Sequence, residues 1–282
     1  MNKTVLITGA GGYIGRHVVK KILDSGANVI ACARQNEEID NRAKILAIDI
    51  LSGDKYIFRL AGKPDICLHM AWKDGFIHNS ESHMSNISSH YIFLKNMLDE
   101  GLKHITVMGT MHEVGYYEGA IDENTPCNPI SMYGIAKDAL RRSLFLMAKE
   151  KDAVFQWLRA YYVYGDDLKN QSIFSKLLHA EEEGKTVFPF NTGKNKYDFI
   201  HVNELAEQIS ATIRQNKING IINCCTGEPI SLGEKVETFI KEHNMQIRLI
   251  YGVYPDRSYD SPGVWGNSRK INEITKAGKI LR

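Results

Sequence analysis

The chain has 282 residues, 43% hydrophobic and 24% charged, enough to bury a sizeable core in one large domain or two smaller ones. Its 35 basic and 33 acidic residues are interspersed and leave a net charge of +2, so no field is built for nucleic acid or an anionic membrane surface. Small-molecule partners are expected.

In chain order, apolar strand-like runs alternate with helix-period segments. The runs are Val5-Leu6-Ile7, Asn28 to Cys32, Ile45 to Ile48, Ile66 to Met70, Ile105 to Met108 and Phe155 to Leu158, most of them apolar at consecutive positions, as in strands buried on both faces. The clearest helices run from Tyr13 to Ser25, stopped by Gly26, and from Ser82 to Glu100, stopped by Gly101. This alternation predicts an α/β fold, a Rossmann-like doubly wound parallel sheet with right-handed crossovers. After about residue 165 the pattern loosens, with helical segments at 170–184, 203–215 and 232–244 and loop-like Tyr, Pro, Asp and Gly clusters in the last thirty residues. The expected organisation is a dinucleotide-binding domain over 1–165 and a smaller substrate-binding α/β domain over 166–282, with segments near 197–225 returning to the first sheet. Cys32, Cys67, Cys127, Cys224 and Cys225 form no CxxC pair, and most lie in buried-looking runs. Reduced thiols in a cytoplasmic protein are expected, with no metal ligand set. A strand begins directly after the first four residues and no apolar run approaches 18 residues, so neither a signal peptide nor a membrane span is expected.

Gly9, Gly12 and Gly15 follow the first strand and open the first helix in Thr8-Gly9-Ala10-Gly11-Gly12-Tyr13-Ile14-Gly15. Glycines let the backbone approach a pyrophosphate, and the helix start offers free N–H groups, so this loop predicts a dinucleotide site that includes Tyr13 and Ile14. At the end of the second strand, Ala31-Cys32-Ala33-Arg34-Gln35 lacks the carboxylate that would bind the ribose of NAD. Arg34 would meet a 2′-phosphate, which favours NADP(H) over NAD(H). Asp49, with Ile50 beside it, is placed either at the adenine or in a loop cap.

Ser131-Met132-Tyr133-Gly134-Ile135-Ala136-Lys137 puts a plausible N-cap before a helix whose apolar stripe is Leu140, Leu144 and Met147. The spacing of four sets Tyr133 and Lys137 on one face, where an ammonium would depress the phenol toward a working acid. Thr110 ends the preceding strand, where open α/β sheets bind ligands. Thr110, Tyr133 and Lys137 beside a hydride donor imply redox chemistry at a carbonyl.

With these motifs the chain resembles the extended short-chain dehydrogenase/reductase family, in its nucleotide-sugar epimerase, dehydratase and reductase branch. Leu68-His69-Met70-Ala71, Asn86, Leu158 to Gly165 and Tyr197 to Val202 carry the resemblance along the chain. It implies that Thr110, Tyr133 and Lys137 act on a sugar carbonyl or hydroxyl, that Met70, Ala71, Tyr161 and Val163 belong to the cofactor site, and that dimers form through helices such as 83–100 and 133–149. Thr110-Met111-His112 departs from the Thr-Asp-Glu of 4,6-dehydratases, and epimerases usually carry the acidic ribose residue missing here. The resemblance is strongest to nucleotide-sugar 4-keto-6-deoxyhexose reductases, which implies NADPH-dependent reduction of a C4 ketone on a dTDP- or GDP-linked sugar. An NAD-dependent epimerase is the alternative, and a non-catalytic NADP-binding sensor the remote one. Trp72, Met111, His112 and Tyr162 are expected to shape the sugar pocket, and Arg257 to bind the substrate diphosphate through its planar guanidinium.

Overall fold

Apolar runs of the first half become strands and the intervening amphipathic stretches become helices, in a computed structural model that describes residues 3–33, 38–165, 168, 170–257 and 260–280. The first half holds β1 (Thr4–Thr8), α1 (Tyr13–Asp24), β2 (Asn28–Cys32), β3 (Lys44–Leu46), α2 (Ile57–Leu60), β4 (Ile66–His69), α3 (Ser82–Asp99) and β5 (His104–Thr110). After a single 3₁₀ turn at Met111–Glu113 come β6 (Gly119–Ile121), α4 (Met132–Glu150), β7 (Val154–Ala160), β8 (Tyr162–Tyr164), α5 (Ile173–Glu182), β9 (Val187–Pro189), β10 (Lys196–Tyr197) and β11 (Phe199–His201). The chain ends with α6 (Val202–Ile213), β12 (Gly220–Cys224), β13 (Ile230–Ser231), α7 (Leu232–Glu242), β14 (Arg248–Ile250), β15 (Gly263–Gly266) and α8 (Arg269–Ile280).

Seven strands form one sheet in the order β12-β7-β5-β4-β1-β2-β3, every pairing parallel. The order reverses between β1 and β4, and a ligand crevice opens at the C-terminal ends of strands beside such a switch point. One face is covered by α1, α6 and α8 through Val18, Ile22, Leu205, Ile209 and Ile271; the other by α2, α3 and α4 through Phe58, Phe93, Met97, Leu140 and Leu144. A third core, containing Phe174, Phe190, Val236 and Phe239, lies under the smaller sheets. Buried Asp198 joins parts of that region, accepting from Thr226 N (2.9 Å), Gly227 N (2.9 Å) and Gly266 N (3.1 Å).

Two details depart from the sequence reading. The strand expected over Ile45 to Ile48 is shorter and starts at Lys44; it is an edge strand with Ile45 37% exposed, so its apolar run does not mean burial on both faces. The last thirty residues include β15 and α8, and α8 packs on α6 and β12. The chain thus returns to the large sheet twice, with β12 at its edge and α8 on its face. All five cysteines are free thiols. Among the described residues, no helix is long and apolar enough to cross a membrane.

Candidate active site

The glycine loop runs from the end of β1 into α1. Gly9 has φ +71°, and a Cβ there would stand 2.7 Å from Ala71 N; one on Gly15 would stand 2.1 Å from the Gly9 carbonyl. Only glycines fit this close approach of backbone to backbone. Thr8 Oγ1 joins the loop to the end of β4 by accepting from Met70 N (3.1 Å) and Ala71 N (3.2 Å). Gly12 caps α1 without a side-chain acceptor, and no acidic residue occupies the first turn. The N–H groups and positive dipole end of α1 therefore suit an anionic group, and the residues present fit a dinucleotide pyrophosphate.

Thr110 ends β5 and caps the turn after it: its hydroxyl accepts from His112 N (3.3 Å), while its own N–H donates to Glu113 Oε1 (2.8 Å). Ser131 caps α4, accepting from Gly134 N (3.1 Å). Gly134 brings that helix against the turn, since a Cβ there would lie 2.4 Å from the His112 carbonyl. This brings the Tyr133 phenol close enough to Thr110 for the threonine side chain to pull its pKa down. Lys137, 2% exposed, donates from Nζ to the Met108 carbonyl (2.7 Å) and stands 3.8 Å over the Trp72 ring.

This geometry corrects the expectation that the ammonium depresses the phenol. Lys137 is turned toward Met108 and Trp72, with its Nζ 5.9 Å from the Tyr133 ring centroid. Burial pushes the Tyr133 phenol above its ordinary value, against the opposing Thr110 hydrogen bond. Burial likewise brings Lys137 down to about 7, while the negative charge of Glu113 opposes that fall. A proton-holding phenol thus lies near an ammonium that titrates close to neutrality.

Around this pair lies an aromatic and imidazole shell. Trp72 donates to His83 Nδ1 (3.0 Å), stacks on His90 at 4.5 Å and meets Tyr133 edge-on at 6.2 Å. It therefore forms a face beneath Lys137. His112 lies 4.3 Å from the His78 ring and 6.5 Å from Tyr162. Burial brings His112 down to about 3, so it is neutral near neutrality and offers no imidazolium proton. The positive charge of Arg257 acts on Tyr162, Tyr197, His78 and Asp260, which puts this exposed guanidinium on the rim of the same cluster.

The side chains of the other expected site residues have neighbours of their own. Met111 is buried in the third core with Val114 and Ile121, because the 3₁₀ turn sends it inward beside His112. Tyr161 also faces that core, its ring so near Gly266 that a Cβ there would be 2.9 Å away. Ile50 is buried with Ile57 and Phe58. Asp49 caps its own loop, accepting from Leu51 N (2.9 Å). Ile14 and Val163 pack on the core beneath the loop, and Tyr13 Oη approaches Gly165. Arg34 lies outside the described residues. Sequence reasoning missed His78, His83 and His90, signalled only by a density of histidines between 69 and 112. It also missed Glu113, whose signal was the capping spacing Thr110-x-x-Glu113.

A family model described as the NAD dependent epimerase/dehydratase family matches residues 5–225. The chain belongs to that family. It is an enzyme of the NAD-dependent, extended short-chain dehydrogenase/reductase type. This family member is 46% identical over 269 residues to dTDP-6-deoxy-L-talose 4-dehydrogenase (NAD(+)) of Aggregatibacter actinomycetemcomitans, covering 93% of the chain and 98% of the relative. It is 24% identical over 263 residues to a putative UDP-glucose 4-epimerase of Methanocaldococcus jannaschii, covering 88% and 85%. Its fold is similar to that of UDP-N-acetylglucosamine 4-epimerase from Methanobrevibacter ruminantium, with TM-score 0.83, 20% identity and coverage of 97% and 92%. It is also similar to UDP-glucose 4-epimerase of Thermus thermophilus in complex with NAD, with TM-score 0.78, 18% identity and coverage of 96% and 92%.

Proposed function

We propose that this enzyme interconverts a ketone and an alcohol at C4 of a dTDP-linked 6-deoxyhexose, with reduction of the 4-keto sugar as the working direction. The observation that carries the reading is 46% identity, over nearly the whole of both chains, to an enzyme named as a dehydrogenase at that carbon. The meeting of Thr110 and Tyr133 at the end of β5 supports it. The nicotinamide, when bound, supplies the hydride. In reduction Tyr133 gives its phenolic proton to the developing alkoxide, and Thr110 hydrogen-bonds the same oxygen; in oxidation Tyr133 takes that proton back. A phenol held above its ordinary pKa is protonated at neutrality, as the reductive direction requires. We assign Lys137 to the nicotinamide ribose. On this reading Arg257 takes the substrate diphosphate, and His112, Tyr162 and His78 line the sugar side.

Arg34, without a carboxylate between Ala31 and Gln35, favours NADP(H); the name of the 46% identical relative favours NAD(H). The ratio of kcat/KM for the two reduced cofactors decides between them, and Arg34→Ala lowers only the NADPH value if the first holds. We further propose a cytoplasmic homodimer through α3 and α4, whose outer faces expose Ile92, Phe145 and Leu146.

The test is oxidation of NADPH or NADH by the purified protein with a panel of nucleotide-linked 4-keto-6-deoxyhexoses, the product identified by NMR. Tyr133→Phe is expected to lower kcat by about 10² to 10⁴ without loss of fold. Full activity in that variant sinks the mechanism. Sugar interconversion with no added cofactor would instead establish the epimerase reading.

A further inference from the structure

Three residues after Thr110 the chain carries a carboxylate with no exposed surface, Glu113. Its Oε1 accepts from Thr110 N (2.8 Å) and from the Trp157 indole N–H (2.7 Å). Its Oε2 lies 3.3 Å from Arg141 Nε and 3.7 Å from Arg159 Nη2. A neutral glutamine would satisfy the capping N–H of such a turn equally well. A buried carboxylate is costly unless charge and hydrogen bonds compensate it, and here partners from β5, β7 and α4 do so together. Gly109 is laid directly on the indole that Glu113 holds, since a Cβ there would be 2.1 Å from Trp157 Nε1. Arg141 is also paired with Asp138, the residue after Lys137. One carboxylate thus ties together the strand that ends at Thr110, the strand beside it and the helix that carries Tyr133 and Lys137.

We propose that Glu113 is a positioning residue of the site: its carboxylate fixes Thr110 against Tyr133, and its charge lies where the strand that holds Lys137 through Met108 meets the helix that carries it. This rests on the chemistry proposed above for Thr110, Tyr133 and Lys137. Glu113 does not stand in for the missing dehydratase base, because its two oxygens face Thr110 N, Trp157 and the two guanidiniums. Lys137 is faced by the Met108 carbonyl from β5, Trp72 after β4, His69 on β4, His90 on α3, Tyr133 on its own helix and Glu113 on the turn. Both histidines are held neutral by burial and the phenol is protonated, so Glu113 is the acidic group among them; burial pushes its carboxyl up, and Arg159, the Thr110 N–H, Trp157 and Arg141 oppose that rise.

The test measures kcat, KM and the pH profile of kcat/KM for the wild type, Tyr133→Phe, Glu113→Gln, Glu113→Asp and Glu113→Ala on the dTDP-linked 4-keto sugar. Glu113→Gln keeps the acceptor and loses the charge: kcat should fall about tenfold at nearly constant KM, and the alkaline limb should move to lower pH by about one unit. Glu113→Asp keeps the charge and withdraws the acceptor, so kcat should fall about tenfold with the limb in place, and Glu113→Ala should lose about 100-fold in kcat. A folded Glu113→Gln with wild-type kcat and limb overturns the proposal, even if its Tm is lower. If Glu113→Gln does not fold, Glu113→Asp decides, and wild-type kcat or a displaced limb there overturns it. Full activity in Tyr133→Phe would fell the proposed chemistry instead, which separates the two failures.

Discussion

Lys137 is held by a carbonyl on one side and an aromatic face on the other, and neither partner can neutralise it. A cation over an indole gains roughly 0.5–2 kcal/mol, depending on how dry the site is. Trp72→Leu removes that gain, so the ammonium becomes easier to deprotonate and the pKa of Lys137 should fall below its present value of about 7. The alkaline limb of kcat/KM should therefore move to lower pH in Trp72→Leu, in the same direction as in Glu113→Gln. A limb that stays in place would mean that Trp72 serves the sugar and not the lysine. A residue-scale reading of the sequence put Trp72 in the sugar pocket because it follows a strand end. It could not see His83 and His90, which arrive from the next helix and turn the indole beneath Lys137.

At the scale of elements, the site depends on how closely α4 approaches the turn after β5. Gly134→Ala places a methyl group against the His112 carbonyl, 2.4 Å away before relaxation. Displacing α4 by a fraction of an ångström moves Tyr133 from Thr110, and kcat should fall by about 10² with a modest drop in Tm. Unchanged kcat would show that the helix yields without moving Tyr133. The other face of the same helix gives a separate test: Leu146→Arg should convert the proposed dimer to a monomer in sedimentation, and a monomeric wild type would refute that interface. Local spacing made the strand-turn-helix, the Ser131 cap and the Tyr133–Lys137 face legible, because each is encoded within one or two turns of chain. Met111 and Tyr161 were misplaced because periodicity does not say toward which of two cores a residue at a strand end turns. The edge position of β3 and the helix α8 were missed for a related reason. An edge strand and a polar amphipathic helix acquire their places from partners far away in the chain.

At the scale of the molecule, the buried histidines make stability depend on acid. Burial brings His90 from 6.5 to about 3, so between those values only the unfolded chain binds its proton. The stabilisation is complete above pH 6.5 and is lost as pH falls toward the folded value, by about 2 kcal/mol at pH 5. Urea unfolding at pH 7 and pH 5 should show a loss of at least this size, since His69 and His112 act in the same direction, and His90→Gln should reduce it without abolishing it. An equal pH slope in both proteins would exclude His90 as the cause. The position of β12 has a consequence for biosynthesis. Until residues 220–224 have emerged from the ribosome, β7 offers an unpaired edge along the five residues from Gln156 to Ala160, all buried in the finished protein. Nascent chains are therefore adhesive to one another during the interval between the sixth and seventh strands of the sheet, and a product cut before Gly220 should be recovered in aggregates, while the full chain stays in solution.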